Sequence, residues 1–189
     1  MKPWFIVLTW SEFQQAHVVA GHRIAHNIRN GNSGRHGAEA GRESDGLHLT
    51  ACRGEMATAK AFDLFWSGAV GDFRAGDVGG IIEVRAVNGA GKRLIIHDPI
   101  DERGKPWDQP HKPFVLADCY GAPKIVLRGW LFAREAQDRP PAPDAKRNDW
   151  WEDPTGKGRW AYFVPHASLH DMDELKALID AGTLPKGDA

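Results

Sequence analysis

Three carboxylates and a guanidinium are the residues of this chain whose types and spacing invite chemistry. Asp77 and Glu83 stand six positions apart in GDVGGIIEVRAV (76–87), and Arg85 follows two residues later. Gly79 and Gly80 lie between them. Either a tight hairpin or a close entry into a strand allows Asp77 to lie near Glu83. Two carboxylates held together repel, and each raises the other's pKa unless a cation sits between them. Such hard oxygen donors suit Mg²⁺, whose shell is completed by waters and phosphate oxygens. Period-two alternation also sets Ile81, Glu83 and Arg85 on one strand face and Ile82, Val84 and Ala86 on the other. Spacing alone therefore favours an ion pair between Glu83 and Arg85 over a metal site. The third carboxylate, Glu55, has Ala51, Cys52, Thr58, Ala59 and Phe62 as helical neighbours, all small or apolar. A carboxylate buried there needs a positive partner, holds its proton, or stays at a wet helix edge.

Other residues carry weaker signals. His22 and His26 are one helical turn apart, a zinc-like spacing without a third ligand at a clear distance. With Arg23 and Arg29 they could instead face phosphate. His97 and Asp98 end RLIIHD, where they point toward the site or mark the strand's exit into a turn, the more ordinary reading. Trp150 and Trp151 lie near Lys146, Arg147, Lys157 and Arg159. They could stack on unpaired bases, but anchoring a long loop on the core is the preferred reading.

The elements that must position these groups follow from pattern. MKPWFIVLTW reads as a buried strand or extended segment. It lacks a small-residue cleavage pattern and is too short to span a bilayer. Ser11 and Gln14 predict a capping box opening a helix that runs to Asn30, with Gly31 as its left-handed stop. Phe13, Ala16, Ala20, Ile24 and Ile28 form its expected core stripe. Residues 31–46 read as a Gly-rich loop, and a second helix is expected over 50–66. Strands are predicted at 80–87, 93–97, 113–118, 124–132 and 162–165, a long loop at 138–159, and a last helix from Asp171 to Ala181 with Leu175, Leu178 and Ile179 inward. Helix, helix, a block of strands and a closing helix predict an α/β (α+β) fold, a central mixed β-sheet flanked by helices.

Bulk composition sets limits. The chain has 189 residues, 42% hydrophobic and 26% charged, which is enough for one domain spanning 1–189 with a sizeable core. A formal net charge of −1 means that any basic surface is local. Two cysteines, Cys52 and Cys119, do not make a disulfide framework and fit a reducing, cytoplasmic setting.

An aspartate, a short gap and Glu-x-Lys, with a glutamate on an earlier helix, resembles the signature of the PD-(D/E)XK nuclease superfamily, the restriction-endonuclease-like fold. The chain is similar, more specifically, to a branch of it carried by phages and bacteria. Glu55 in GEMATAKAF matches the helix glutamate, Asp77 in DVGG the metal aspartate and Glu83 in EVR the second carboxylate. IVLRGWLF (125–132) and YFVPHASLHDMDELKAL (162–178) resemble the branch's closing strand, turn and helix. The likeness covers about residues 11–178. It implies a restriction-endonuclease-like core and a nuclease that hydrolyses DNA phosphodiesters. In that reading Asp77 and Glu83 bind Mg²⁺ or Mn²⁺, the Val84 carbonyl adds a ligand, and Glu55 completes the site or holds a metal-bound water. The metal would lower that water's pKa and offset phosphate charge. Arg85 replaces the superfamily's lysine. It cannot act as a base, but it can orient water or stabilise charge on the phosphate. The resemblance further implies a bacterial host's cytoplasm, no membrane, and a symmetric dimer if both strands of a duplex are cut. The alternative is a catalytically inactive module of the same fold that binds nucleic acid or a protein partner.

Overall fold

The segment PFVLAD (113–118) is apolar at nearly every position, a pattern that suits a strand covered on both faces. In the computed structural model of the chain it is a strand buried at every position. The structure describes residues 2–31, 42–71, 76–89, 91–97, 108–140, 149–153 and 160–184. In chain order the elements are β1 (Trp4–Val7), α1 (Trp10–Arg29), α2 (Arg42–Phe62), β2 (Glu83–Val87), β3 (Leu94–Ile96), β4 (Pro113–Asp118), β5 (Lys124–Phe132), α3 (Ala133–Gln137), β6 (Trp151–Glu152), β7 (Ala161–Val164) and α4 (Met172–Asp180).

Four strands form a mixed sheet in the order β1-β5-β4-β2, in which β2 runs parallel to β4 and the other pairs are antiparallel. A second, antiparallel sheet has the order β3-β7-β6. Alternation along β4 divides its side chains between two cores. Val115 and Ala117 join Met56, Phe62, Val84, Met172 and Leu175 under α2 and α4. Phe114 and Leu116 join Leu94, Ile96, Leu131, Tyr162 and Val164 against the second sheet and α3. The expected mixed sheet with flanking helices is therefore present.

Helix α1 packs on α2 through Ala16, Ala20 and Cys52, small residues that let two helices approach closely. Helix α2 in turn meets the sheet at Gly54, where an added Cβ would lie 2.7 Å from the Ala86 Cβ and 3.1 Å from that of Ala117. Glu55, the next residue, lies within electrostatic reach of Asp77.

Several expectations are corrected. The cap of α1 is Thr9 with Glu12, not Ser11 with Gln14: Thr9 N–H donates to Glu12 Oε2 at 2.6 Å, and Glu12 N–H donates to Thr9 Oγ1 at 3.3 Å. A carboxylate complements the helix N-terminus better than an amide, and Lys60 Nζ braces Glu12 Oε2 at 2.7 Å. Ile28 is exposed rather than inward, because at that end the polar pair Asn27–His48 (2.9 Å) makes the contact between the helices. Helix α2 begins at Arg42, so residues 42–46 are helical and not loop. It ends at Phe62, before Asp63 at φ 54°. Strand β1 is only half-buried, an edge strand with Phe5 and Val7 outward. The expected loop 138–159 contains β6, and helix α3, where Glu135 Oε1 accepts the Phe132 N–H at 2.9 Å, was not expected.

Candidate functional site

Gly79 and Gly80 make the hairpin, the first of the two geometries open to them. Both have positive φ, 58° and 73°, as a primed turn requires. Ile81 N–H donates to Val78 O at 3.1 Å, and Val78 bridges to Ile82. The returning chain brings Asp77 alongside β2, where its Oδ2 accepts the Val84 N–H at 2.7 Å. Strand β2 is the free edge of its sheet. With the Val84 N–H turned outward to Asp77, the carbonyl of the same residue leaves on that side too, since a strand residue presents both groups in one direction. A second bridge, Trp66 to Val78, and the bond from Gly79 N–H to Phe65 O (2.9 Å) pin the hairpin to the segment after α2.

Glu55 is buried and paired. Arg23 Nη1 and Nη2 reach Oε1 and Oε2 at 2.6 and 2.8 Å, and Trp66 Nε1 donates to Oε2 at 2.8 Å. Arg23 Nε is held in turn by Ala69 O at 2.9 Å. The partner arginine that burial of Glu55 demanded is thus Arg23, from α1. Glu83 receives Lys112 Nζ on Oε1 at 2.9 Å. Arg85 does not pair with Glu83. Its Nη2 bonds Asp108 Oδ1 at 2.6 Å, its Nε bonds Ile95 O at 3.3 Å, and its guanidinium lies over the Phe114 ring. His97 joins the same aspartate through its backbone N–H (2.8 Å) and Nδ1 (3.2 Å).

Asp77 differs from its neighbours: among the described residues it has no salt-bridge partner. Burial, then the nearby Glu55 and Glu83, push its carboxyl up to about 7, with the Val84 N–H opposing. Burial alone would also raise Asp108, yet Arg85 and His97 outweigh it and hold that carboxyl low. Burial pushes both cysteine thiols up to about 12, which removes them from nucleophilic chemistry at neutral pH.

Comparison with known proteins returns no match, whether to a family model, a curated protein or a solved structure. Function has to be argued from the geometry.

The structure brings Glu55, Asp77 and Glu83 into electrostatic contact, with Val84 between the last two. No group of three or more His, Cys, Asp and Glu side chains among the described residues is disposed to hold a metal ion. Two carboxylates and a carbonyl can still suffice for Mg²⁺, which keeps waters and takes phosphate oxygens for the rest. Asp77, partly buried and without a salt-bridge partner among the described residues, fits such a cation. Glu55 fits as a direct ligand only if Arg23 lets go.

The remaining candidates scatter. Arg23, expected to face phosphate, is turned inward to Glu55. His22 and Arg29 are exposed, and His26 Nε2 lies 3.0 Å from Asn30 Nδ2. Trp150 is buried in the second core with the Arg139 guanidinium over its ring, in keeping with anchoring. Trp151 is half-buried between Trp160 and Tyr162. Asp98, Lys146, Arg147, Lys157 and Arg159 fall outside the described residues, as does most of the expected loop 31–46. Sequence reasoning missed Lys112, Asp108 and Trp66. Trp66 alone had a local signal, as the indole closest in sequence to the end of α2.

Proposed function

We propose that the chain is a restriction-endonuclease-like, metal-dependent nuclease that hydrolyses DNA phosphodiester bonds, with Asp77 and Glu83 as its metal carboxylates and the Val84 carbonyl beside them. The observation that carries this reading is Asp77: a partly buried carboxylate, held on a glycine hairpin against the edge strand β2, next to two other carboxylates and, among the described residues, without a salt-bridge partner. Such an arrangement costs free energy unless a positive charge is supplied. Bound there, Mg²⁺ or Mn²⁺ would supply a water of lowered pKa and neutralise phosphate charge.

The chain's own residues do the rest in this reading. The hairpin fixes Asp77 through the Val84 N–H. Glu55, neutralised by Arg23 and held by Trp66, borders the site and becomes a ligand only where Arg23 lets go. Arg85, clamped by Asp108 and Ile95, braces β2 against the second sheet and is the candidate to orient the attacking water or stabilise charge on the phosphate. His22, His26, Arg29 and Trp151 remain candidates for contact with the nucleic acid, in a bacterial or phage-infected cytoplasm, with a symmetric dimer where both strands are cut. Among the described residues no helix is long and apolar enough to cross a membrane.

A second reading, an inactive module of the same fold that binds nucleic acid or a protein, is favoured by one observation: Glu55 and Glu83 already have Arg23 and Lys112 as counter-ions. Incubation with Mn²⁺ and a panel of duplex, single-stranded and branched DNA and RNA, beside Asp77→Asn, separates the two. Cutting by the wild type and not by the variant is expected. Binding without cutting by either protein selects the inactive module.

A further inference from the structure

The cations around the three carboxylates are held very differently. Arg23 is fixed at three points, by both oxygens of Glu55 and by Ala69 O. Arg85 is fixed by Asp108, Ile95 O and the face of Phe114. Lys112 has a rigid backbone and a loosely tethered head. Its N–H donates to Gln109 O at 3.1 Å and its carbonyl accepts the Ala133 N–H at 3.2 Å. Its ammonium, among the described residues, makes one hydrogen bond, to Glu83 Oε1 at 2.9 Å. The lysine immediately precedes β4, whose Phe114 stands in register with Glu83 on the parallel neighbour β2, so the stem reaches across one strand spacing. Its side chain is 12% exposed and that of Glu83 20%. Both side chains are thus partly open to solvent, and what sets Lys112 apart from Arg23 and Arg85 is its single hydrogen bond rather than its exposure.

We propose that Lys112 is an exchangeable counter-ion of the candidate site: it occupies Glu83 until a hard divalent cation takes that carboxylate, and among the described cations there it is the one that can be displaced. This rests on the reading of Asp77 and Glu83 as metal carboxylates. The physical basis is competition. Glu83 can bind the ion only while free of Lys112, so the apparent affinity is the intrinsic one reduced by the free fraction. A single ammonium contact on a flexible four-carbon stem is a weak competitor, whereas a guanidinium offers a planar fork of donors and is a stronger one. Displacing Arg23 or Arg85 would break two or three contacts at once.

The test is Mn²⁺ affinity, read from the free-ion electron paramagnetic resonance signal, for the wild type, Lys112→Met, Lys112→Arg and Asp77→Asn, with circular dichroism melts to confirm folding. Lys112→Met should bind Mn²⁺ about tenfold more tightly, as expected if the free form of Glu83 is roughly one-tenth populated. Lys112→Arg should bind more weakly than the wild type, and Asp77→Asn should lose binding. A lysine that serves only to hold β4 would not produce an order of Met, then Lys, then Arg. Unchanged or weaker binding in Lys112→Met, with binding still lost in Asp77→Asn, overturns the exchange and leaves the metal reading standing. Absence of binding in both the wild type and Lys112→Met overturns both. If Lys112→Met does not fold, Lys112→Arg decides alone, and affinity equal to or above that of the wild type overturns the proposal.

Discussion

At the scale of single residues, Asp77 is the group whose protonation the fold most alters in a usable range. An aspartate raised from 3.8 to about 7 binds its proton more tightly folded than unfolded. The stability it contributes is complete below about pH 4 and is lost as pH rises through about 7. Asp77→Asn keeps an acceptor for the Val84 N–H and has no charge to bury. The variant's advantage over the wild type should be smallest below about pH 4 and should grow by about 2–3 kcal/mol between pH 5 and pH 8, measured by urea denaturation at both values. A wild type more stable than the variant at pH 8, without added metal, would contradict the account of Asp77 as an uncompensated charge.

At the scale of elements, Gly54 sets the distance between α2 and the sheet. An alanine there gains about 1 kcal/mol of helix propensity. Its Cβ, however, would meet those of Ala86 and Ala117, at 2.7 and 3.1 Å. These atoms are fixed to the backbone and cannot swing away, and overpacking of this kind costs about 1–3 kcal/mol. Gly54→Ala should therefore lose on the order of 1 kcal/mol net, and Gly54→Val more, in the same denaturation assay. Because Glu55 is the next residue, the shift should also loosen the Arg23–Glu55 pair. Its sign will be a change in fluorescence of Trp66, whose indole donates to Glu55.

At the scale of the whole molecule, β4 belongs to both hydrophobic cores at once, Val115 and Ala117 to one and Phe114 and Leu116 to the other. Neither core can open without exposing the strand that closes its neighbour. The described parts should therefore unfold in one transition. Leu116→Ala, which empties space in the second core, should cost about 2–5 kcal/mol and lower a single midpoint shared by far-ultraviolet circular dichroism and tryptophan fluorescence. Two separated transitions would show that the cores are energetically independent. The chain ends are tied in the same way: Trp4 Nε1 donates to Asp173 at 3.0 Å and Lys2 N–H to Asp171 at 2.6 Å, which joins β1 to α4.

Much of this was legible in the linear chain, for a reason of periodicity. The largely apolar run 113–118 and the run 124–132 have the bounds of β4 and β5 as read, and Asp171 to Ala181 contains α4. Hydrophobic period and turn residues are local properties that burial only ratifies. The hairpin at Gly79 and Gly80, one of two geometries compatible with the residues, also lay within local reach. Ion-pair partners did not. Arg23 and Glu55 are 32 residues apart, Lys112 and Glu83 29, and Arg85 and Asp108 23. The sequence neighbours Glu83 and Arg85, which alternation set on one face, each took a distant partner instead. A Coulombic contact has no period along the chain; it depends on which strand lies beside which. So the residue types by themselves determined that a buried Glu55 needs a cation or its proton, and allowed Asp77 to lie near Glu83. Only the tertiary structure decided which cations answer those carboxylates, and that Asp77 has no salt-bridge partner among the described residues.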